Sequence, residues 1–436
     1  MNELSRRAQL SLPPALPPEP PARSVRNYRT GPFGVLDIGS TKIACLIGRT
    51  DSDGELRALG SGLTRSRGVR GGGITDLDEA ERAIRAAVAM AEEMADYRLR
   101  SVTVNLSCGQ PESRLFNVQW PVSGRQVADS DVRRVISEGR ARAVTEGRET
   151  IHSLPLNFAV DETAGVADPR GHHCDVLSAR LHVVDALSMA LRNLGNAVHR
   201  CDLEISEVVS APFAAGLSCL VEDERELGAT IVDMGGGTTS LAVFFEGQLL
   251  HTAHIPVGGQ HVTRDIAGVL STPIDNAERL KTLYGNVHAC QEDEREILAV
   301  QLIGEEDHQF AKFPRSMVIG IIRPRLEETF EMVRDRLDGA GLGRAASGRV
   351  VLTGGASQLV GVRDLAHKIL DRPVRLGRPS AVRALAESAS GPAFATATGL
   401  LAWAAGEGRT LADIDLHADR PSGLISRIVD FLRERV

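Results

Sequence analysis

Apolar positions are thinly spread over residues 1–31 and then gather into runs of two different periods. Val35–Ile47 is a strand-like apolar stretch, and "GELRALGSGLTRSRGVRGGGI" after it alternates strand signals with Gly-rich turns. Ala80, Ile84, Ala87, Val88, Ala91 and Met94 recur at helical spacing behind Asp76, which predicts a capped helix to about Tyr97. Ser101–Leu106 reads as a strand. From Cys108 to about Val184 the pattern changes to short strands around one helix, about Asp129–Val144, which marks an inserted α+β unit. "HVVDALSMALRNLGNAVHRC" returns to strand and helix, with Gly195 expected to interrupt or end that helix. "LEISEVVSAPFAAGLSCL" is a strand running into a helix of small residues. A polar, helix-rich block covers about Gly259–Leu337, Gly348–Val362 reads as strand, Gly turn and helix start, and Gly391–Ala405 is a second small-residue helix.

Within this pattern one phrase occurs twice. "VLDIGSTKIACLIG" (Val35–Gly48) returns as "IVDMGGGTTSLAVF" (Ile231–Phe244), with Asp37 and Asp233 196 positions apart. Each copy is an apolar run ending in Asp, a small Gly/Ser/Thr loop, and a second apolar run, the pattern of a β-hairpin. Gly lets such a turn approach a ligand closely. Turn N–H groups and hydroxyls bind phosphate oxygens, and a strand-end Asp can hold Mg²⁺ through water. One copy alone is a weak signal; two, each opening half of the chain, suit a triphosphate gripped from both sides. "VVLTGGASQLVGV" adds a third Gly-rich element suited to a base or ribose. The two small-residue helices suit a close crossing, or equally a plain buried core.

Composition narrows the classes. The 436 residues carry a formal charge of −7 with 4% aromatics, which argues against a generic nucleic-acid binder. Six scattered Cys without a C-x-x-C predict reduced, buried thiols. No apolar run reaches membrane-spanning length. Residues 1–31, with Pro13, Pro14, Pro17, Pro18, Pro20 and Pro21, read as an extended tail and not a signal peptide.

The order hairpin, connecting helix, hairpin, Gly-rich element, connecting helix resembles the actin/heat-shock chaperone/sugar kinase superfamily. "RGGGITDLDEAERAI", "EDERELGATIVDMGGGT", "HTAHIPVGGQHVTRDIA" and "VVLTGGASQLVGV" resemble, within it, the FtsA family of bacterial cell-division actin homologues, over about residues 32–405. The resemblance implies an α/β, actin-like two-lobed fold with duplicated ATPase cores, an inserted α+β subdomain in the first lobe and a C-terminal amphipathic helix. It implies ATP and Mg²⁺ as cofactors. Gly39, Ser40, Thr41 and Lys42, with Gly235, Gly236, Gly237 and Thr238, would meet the phosphates, and Asp37 and Asp233 the Mg²⁺. Gly354, Gly355, Ala356 and Gln358 would line the adenosine. Glu278 and Lys281, which share a helix face, would contact the ribose, although alone they also suit a solvated ion pair. Where fast members of the superfamily carry a water-orienting Gln or Glu, this chain has Ala211, which implies hydrolysis that is slow or accessory.

The expected division is 1–31 tail, 32–107 first lobe, 108–184 insert, 185–211 first lobe continued, 212–258 second lobe, 259–337 its inserted block, 338–405 second lobe continued, 406–421 linker and 422–436 helix. "HHCD" (His172–Asp175) reads as a polar loop and not a metal site. The resemblance places the C-terminal peptide of FtsZ against 259–337. There "IIRPRLEETF" matches a helix start, and Arg325 and Glu328 are implied contacts, although from charge alone they suit a surface pair equally well. In the last segment Leu424, Ile425, Ile428, Val429, Phe431 and Leu432 fall on one arc of about 160° at helical spacing, opposite charged residues, which suits an interfacial anchor. The implied partners are FtsZ, further copies of the chain in a polymer, downstream divisome proteins and an anionic membrane surface, with no nucleic acid. The implied role is to tether FtsZ filaments to the cytoplasmic face of the inner membrane at the division septum, as a peripheral protein. A pilus-assembly ATP-binding adaptor of the same family and a metabolic kinase of the superfamily are the competing readings; neither accounts for the amphipathic tail.

Overall fold

The computed structural model describes residues 31–305, 310–346 and 348–406. The N-terminal tail, all but the first residue of the linker, and the six apolar positions from Leu424 to Leu432 lie outside the described residues.

Strand β1 (Phe33–Ile38) turns at Gly39–Thr41 into β2 (Lys42–Thr50), with Ile38 opposite Ile43. The strand-like stretch over Val35–Ile47 is the hairpin its small loop residues predict, two antiparallel strands reversed inside the apolar run. β3 (Leu56–Arg65) pairs with β2, and the short pair β4 (Val69–Arg70) and β5 (Gly73–Ile74) leads to helix α1 (Leu77–Ala95). The Asp76 carboxylate accepts the backbone N–H groups of Asp78 and Glu79, both at 3.0 Å, and caps α1 as expected. Gly62 is required beneath it: a Cβ there would lie 1.9 Å from the Ala87 carbonyl oxygen. β6 (Ser101–Leu106) then runs parallel to β1.

The insert consists of β7 (Glu112–Pro121), α2 (Asp129–Arg142), β8 (Arg148–Val160), β9 (Thr163–Val166) and β10 (Val176–Leu187). Its antiparallel sheet has the order β7-β10-β8-β9 and packs on α2 through Val118, Val135, Ile136, Leu177 and Leu181. Helix α3 (Ser188–His199) runs through Gly195 without a break, contrary to expectation. Leu191, Leu194, Ala197 and Val198 anchor it on both sides of the glycine, and such packing outweighs a propensity penalty of about 1 kcal/mol. β11 (Glu204–Ser210), parallel to β6, completes a five-stranded sheet in the order β11-β6-β1-β2-β3, and α4 (Ala211–Cys219) follows.

After α5 (Glu222–Leu227) the plan repeats. β12 (Ala229–Met234), β13 (Thr239–Phe245) and β14 (Gln248–Ile255) form an antiparallel meander. α6 (Gly259–Leu270), α7 (Ile274–Tyr284), the ribbon β15 (Ile297–Gln301) with β16 (Phe310–Pro314), and α8 (Arg315–Gly339) come next. The block expected to be helical thus also holds a two-stranded sheet. α8 starts at Arg315, not at Ile321, and passes through Pro324. Proline costs a helix one hydrogen bond and crowds the carbonyl four residues back. Buried Val318, Ile319 and Ile322 before the proline and Leu326 and Phe330 after it hold α8 on the core through that point. β17 (Arg349–Thr353), α9 (Val362–Leu370), β18 (Val374–Leu376) and α10 (Ala395–Ala404) end the described chain. The second sheet has the order β14-β13-β12-β17-β18, with β17 parallel to β12 and β18 parallel to β17. It repeats the first sheet strand for strand.

Helices α4 and α10 cross where the two lobes join. A Cβ on Gly399 would lie 1.7 Å from the Ala214 carbonyl oxygen, so the crossing tolerates hydrogen alone. Around it Val35 and Leu46 of one sheet, Ile231 and Phe244 of the other, and Phe213, Leu401 and Trp403 form one shared core. Phe213 meets Trp403 edge to face at a centroid distance of 5.3 Å and stacks on Phe244 at 5.9 Å. Each such buried ring contributes roughly 1.5–3 kcal/mol. Five cysteines are buried as expected; Cys290 is exposed.

Candidate functional site

The two hairpin turns face each other across the cleft between the lobes. They share one backbone pattern: the N–H of Gly39 donates to the Lys42 carbonyl at 3.0 Å, and that of Gly235 to the Thr238 carbonyl at 2.9 Å. Their tips nearly touch. A Cβ at Gly236 would lie 2.3 Å from Thr41 Oγ1, and one at Gly237 2.3 Å from Ser40 Oγ. Ser40 Oγ also accepts the Gly72 N–H at 2.9 Å.

Carbonyl oxygens on the second turn are tied off. Gly235 O accepts from Gly259 N at 2.9 Å, and Gly236 O accepts from Gln260 N at 2.7 Å, both at the start of α6. In a trans peptide the next N–H points opposite to the carbonyl, so the Gly236 and Gly237 amides face away from α6. Amides turned outward in this way on a small-residue loop are what a phosphate needs.

A cavity of about 550 Å³ opens beside these turns. It is lined by Asp37, Gly39, Ser40, Thr41, Lys42, Asp233, Gly235, Gly236, Gly237, Thr238, Glu278, Lys281, Gly354, Gly355, Ala356 and Gln358. All sixteen positions read from the sequence as phosphate, cation or nucleoside contacts are therefore brought to one place. Lys42 Nζ lies 3.4 Å from Asp37 Oδ2 and 4.2 Å from the centre of the Phe394 ring. Asp233 Oδ2 accepts the Thr396 hydroxyl at 2.8 Å. Burial pushes the Asp233 carboxyl up to about 6; the Thr396 bond opposes this, and the neighbouring Asp37 charge adds to it. Gly354 has φ +85°, and a Cβ there would stand 2.3 Å from Asp233 Oδ1, so glycine serves both the turn and the close approach. Glu278 and Lys281 form an ion pair at 2.7 Å. Lys281 Nζ also donates to Gly259 O at 3.1 Å and to Thr263 Oγ1 at 2.9 Å, so the pair is built into the cavity wall and is not a free surface pair.

Ala211 lines the same cavity as the first residue of α4. Sequence reasoning passed over Gly72, Ser107, Gln260 and Thr396, which also line it. Gln260 had a signal, the strand–Gly–Gly–helix junction "PVGGQ". Thr396 sits in a run read for packing alone, and nothing in the sequence marks Ser107.

Arg325 and Glu328 do not line the cavity. On α8, Arg325 forks onto Asp265 of α6, with Nε to Oδ2 at 2.6 Å and Nη2 to Oδ1 at 3.1 Å, and also pairs with Glu328. Among the described residues no group of three or more His, Cys, Asp or Glu is placed to hold a metal ion. No helix among them is long and apolar enough to cross a membrane.

Two five-stranded sheets of one topology, hinged on crossed helices with paired hairpins over a central cleft, define an actin-like protein. Chain comparison agrees. In fold the chain is similar to a solved PilM-PilN type IV pilus biogenesis complex, with a TM-score of 0.61, 18% identity, and 86% of this chain and 98% of that one covered. Family profiles described as "Cell division protein FtsA" and "SHS2 domain inserted in FTSA" match residues 230–399 and 108–185. The chain is 40% identical over 435 residues to the cell division protein FtsA of Agrobacterium fabrum, covering 95% of this chain and 97% of that one. It is 41% identical to that of Rhizobium meliloti, covering 94% of each, and 32% identical to that of Escherichia coli K12, covering 84% and 88%. The chain belongs to the FtsA family of cell division proteins.

Proposed function

We propose that the chain binds Mg²⁺-ATP between its two hairpins and, so loaded, polymerises and tethers FtsZ filaments to the cytoplasmic face of the inner membrane at the septum. The observation that carries the nucleotide part is the hairpin pair: two turns of one backbone pattern meet over a cavity of about 550 Å³. Phosphates would take the Ser40, Thr41, Gly236, Gly237 and Thr238 amides and hydroxyls, with Lys42 as a point charge. Adenosine would lie along Gly354–Ala356 and Gln358, with the ribose toward Glu278 and Lys281. The donor set fits Mg²⁺, which takes few carboxylates and completes its octahedron with water and phosphate oxygens. Asp37 and Asp233 would hold it, and the cation would offset the unfavourable charge at Asp233. Ala211 has neither a base nor a hydrogen-bonding tip to orient water, so the nucleotide acts as a closing ligand for the lobes more than as fuel.

In this reading the chain divides as the sequence suggested. Residues 259–337 take the FtsZ peptide near Arg325 and Glu328, 108–184 meets downstream divisome proteins, and 422–436 lies on anionic lipid. A single amphipathic helix binds membranes weakly, so polymers attach by avidity. The family relatives favour cell division over the pilus-adaptor reading. The test is flotation with anionic liposomes in the presence of ATP and FtsZ. Wild type should carry FtsZ to the top fraction, and Phe431→Asp and a truncation after Pro421 should leave it at the bottom. Flotation of the truncated chain would exclude this anchor.

A further inference from the structure

Away from the cleft, β14 meets the insert (the Thr252 N–H donates to Ser113 Oγ at 3.1 Å) and Arg383 exchanges backbone hydrogen bonds with Leu56 and Ala58 of β3. At the cleft itself the lobes are joined in two physically different ways. The floor of the cleft is the apolar crossing of α4 and α10. The rim holds two polar contacts between residues more than two hundred positions apart. Gln260 Nε2, at the start of α6, donates to the Ser40 carbonyl on the first hairpin at 2.9 Å. Arg65 Nη2 lies 2.7 Å from Asp275 Oδ1 at the start of α7.

Both contacts reach the site through short rigid routes. Arg65 ends β3 directly opposite Lys42 in the sheet register, so it rides on the first hairpin. Asp275 precedes Glu278 and Lys281 on α7, the helix that walls the nucleoside end. Gln260 follows the Gly258–Gly259 step whose amide fixes the second turn. The geometry points to Gln260 and the Arg65–Asp275 pair as a clasp: positioning residues that hold the two hairpins at phosphate spacing and set how fast nucleotide leaves. The inference rests on the nucleotide reading of the cavity.

Each half is weak by construction. Arg65 and Asp275 are 73% and 78% exposed, so their attraction is modest and screened by salt. The Gln260 bond joins two neutral groups, whose net worth after exchange with water is small. A clasp of this kind opens readily while the apolar floor stays closed, as nucleotide exchange requires.

The test uses the full chain. Release of a fluorescent ATP analogue with Mg²⁺ is followed by stopped-flow displacement at low and high salt. Lobe separation is read without nucleotide from two spin labels, one on exposed Cys290 and one on Asp53→Cys. Gln260→Ala should speed release about two- to tenfold and widen the label distance. Arg65→Asp, which sets two carboxylates face to face, should do the same. The exchange of Arg65→Asp with Asp275→Arg should restore both readouts, and wild-type release should quicken with salt. Release rates and distances equal to wild type in Gln260→Ala and Arg65→Asp would overturn the clasp. If wild type binds no analogue while the variants still widen, the nucleotide reading falls and takes with it the control of release, leaving Gln260 and the Arg65–Asp275 pair only as contacts that hold the lobes; if nothing widens either, both fall.

Discussion

Asp233 is where site and stability pull in opposite directions. Its carboxyl is pushed from an ordinary 3.8 up to about 6, by burial first and then by the Asp37 charge. A carboxyl whose folded value lies above its unfolded one contributes stability at low pH that is lost as pH rises from about 4 through about 6. At pH 8 the ionised group therefore costs the nucleotide-free fold up to about 3 kcal/mol, from a shift of about two units at 1.36 kcal/mol each. At pH 5 the cost is roughly half of that. Asp233→Asn removes the charge and retains an acceptor for the Thr396 hydroxyl, which bonds at 2.8 Å. Without nucleotide the variant should melt about 2–4 °C above wild type at pH 8, with a smaller gap at pH 5. With Mg²⁺-ATP the order should reverse: wild type gains by mass action, and the variant, lacking a ligand for the cation, gains little. The assay is thermal unfolding of both proteins at the two pH values, with and without Mg²⁺-ATP. A variant less stable than wild type at pH 8 without nucleotide would refute the electrostatic reasoning.

Three further outcomes follow from particular contacts. Gly399→Val should force α4 and α10 apart at the 1.7 Å approach to Ala214 and destabilise the protein by about 1–3 kcal/mol or more in chemical unfolding; an unchanged midpoint would contradict the crossing. Arg325→Glu should weaken binding of the FtsZ C-terminal peptide in titrations while leaving ATP binding intact. Asp265→Asn, which loosens the fork but keeps Arg325, should weaken it less. Steady-state ATP turnover should fall below the common enzyme range of roughly 1–10³ per second. A rate inside that range would mean that a residue other than Ala211 orients water.

Much of this architecture is legible in the chain because it repeats. Asp37 and Asp233 lie one residue from the ends of matching strands, and their small loops are marked by residue type alone, so the hairpins follow from local pattern, while the actin-like plan comes from the family resemblance that the repeated order carries. What stayed hidden depends on tertiary contact. Gly195 looks like a break until Leu191 and Val198 are seen packed on the first-lobe core. Pro324 looks like the first turn of a helix that in fact begins at Arg315, where Val318, Ile319 and Ile322 are already buried before the proline is reached. Gln260 and Thr396 have side chains common on any surface, and they become part of the site through partners 220 and 163 positions away. Arg325 and Glu328 share a helix face in the sequence alone, whereas the fork of Arg325 onto Asp265 appears only once α6 and α8 are packed.

Isothermal titration of the full chain with ATP, with Mg²⁺ and then with chelator, reads nucleotide binding at the paired hairpins itself. One site per chain is expected, weaker without Mg²⁺ and lost in Gly236→Asp, where a carboxylate would face both Thr41 and the phosphates. Affinity for ATP in Gly236→Asp equal to wild type, or no binding by wild type at all, would contradict it.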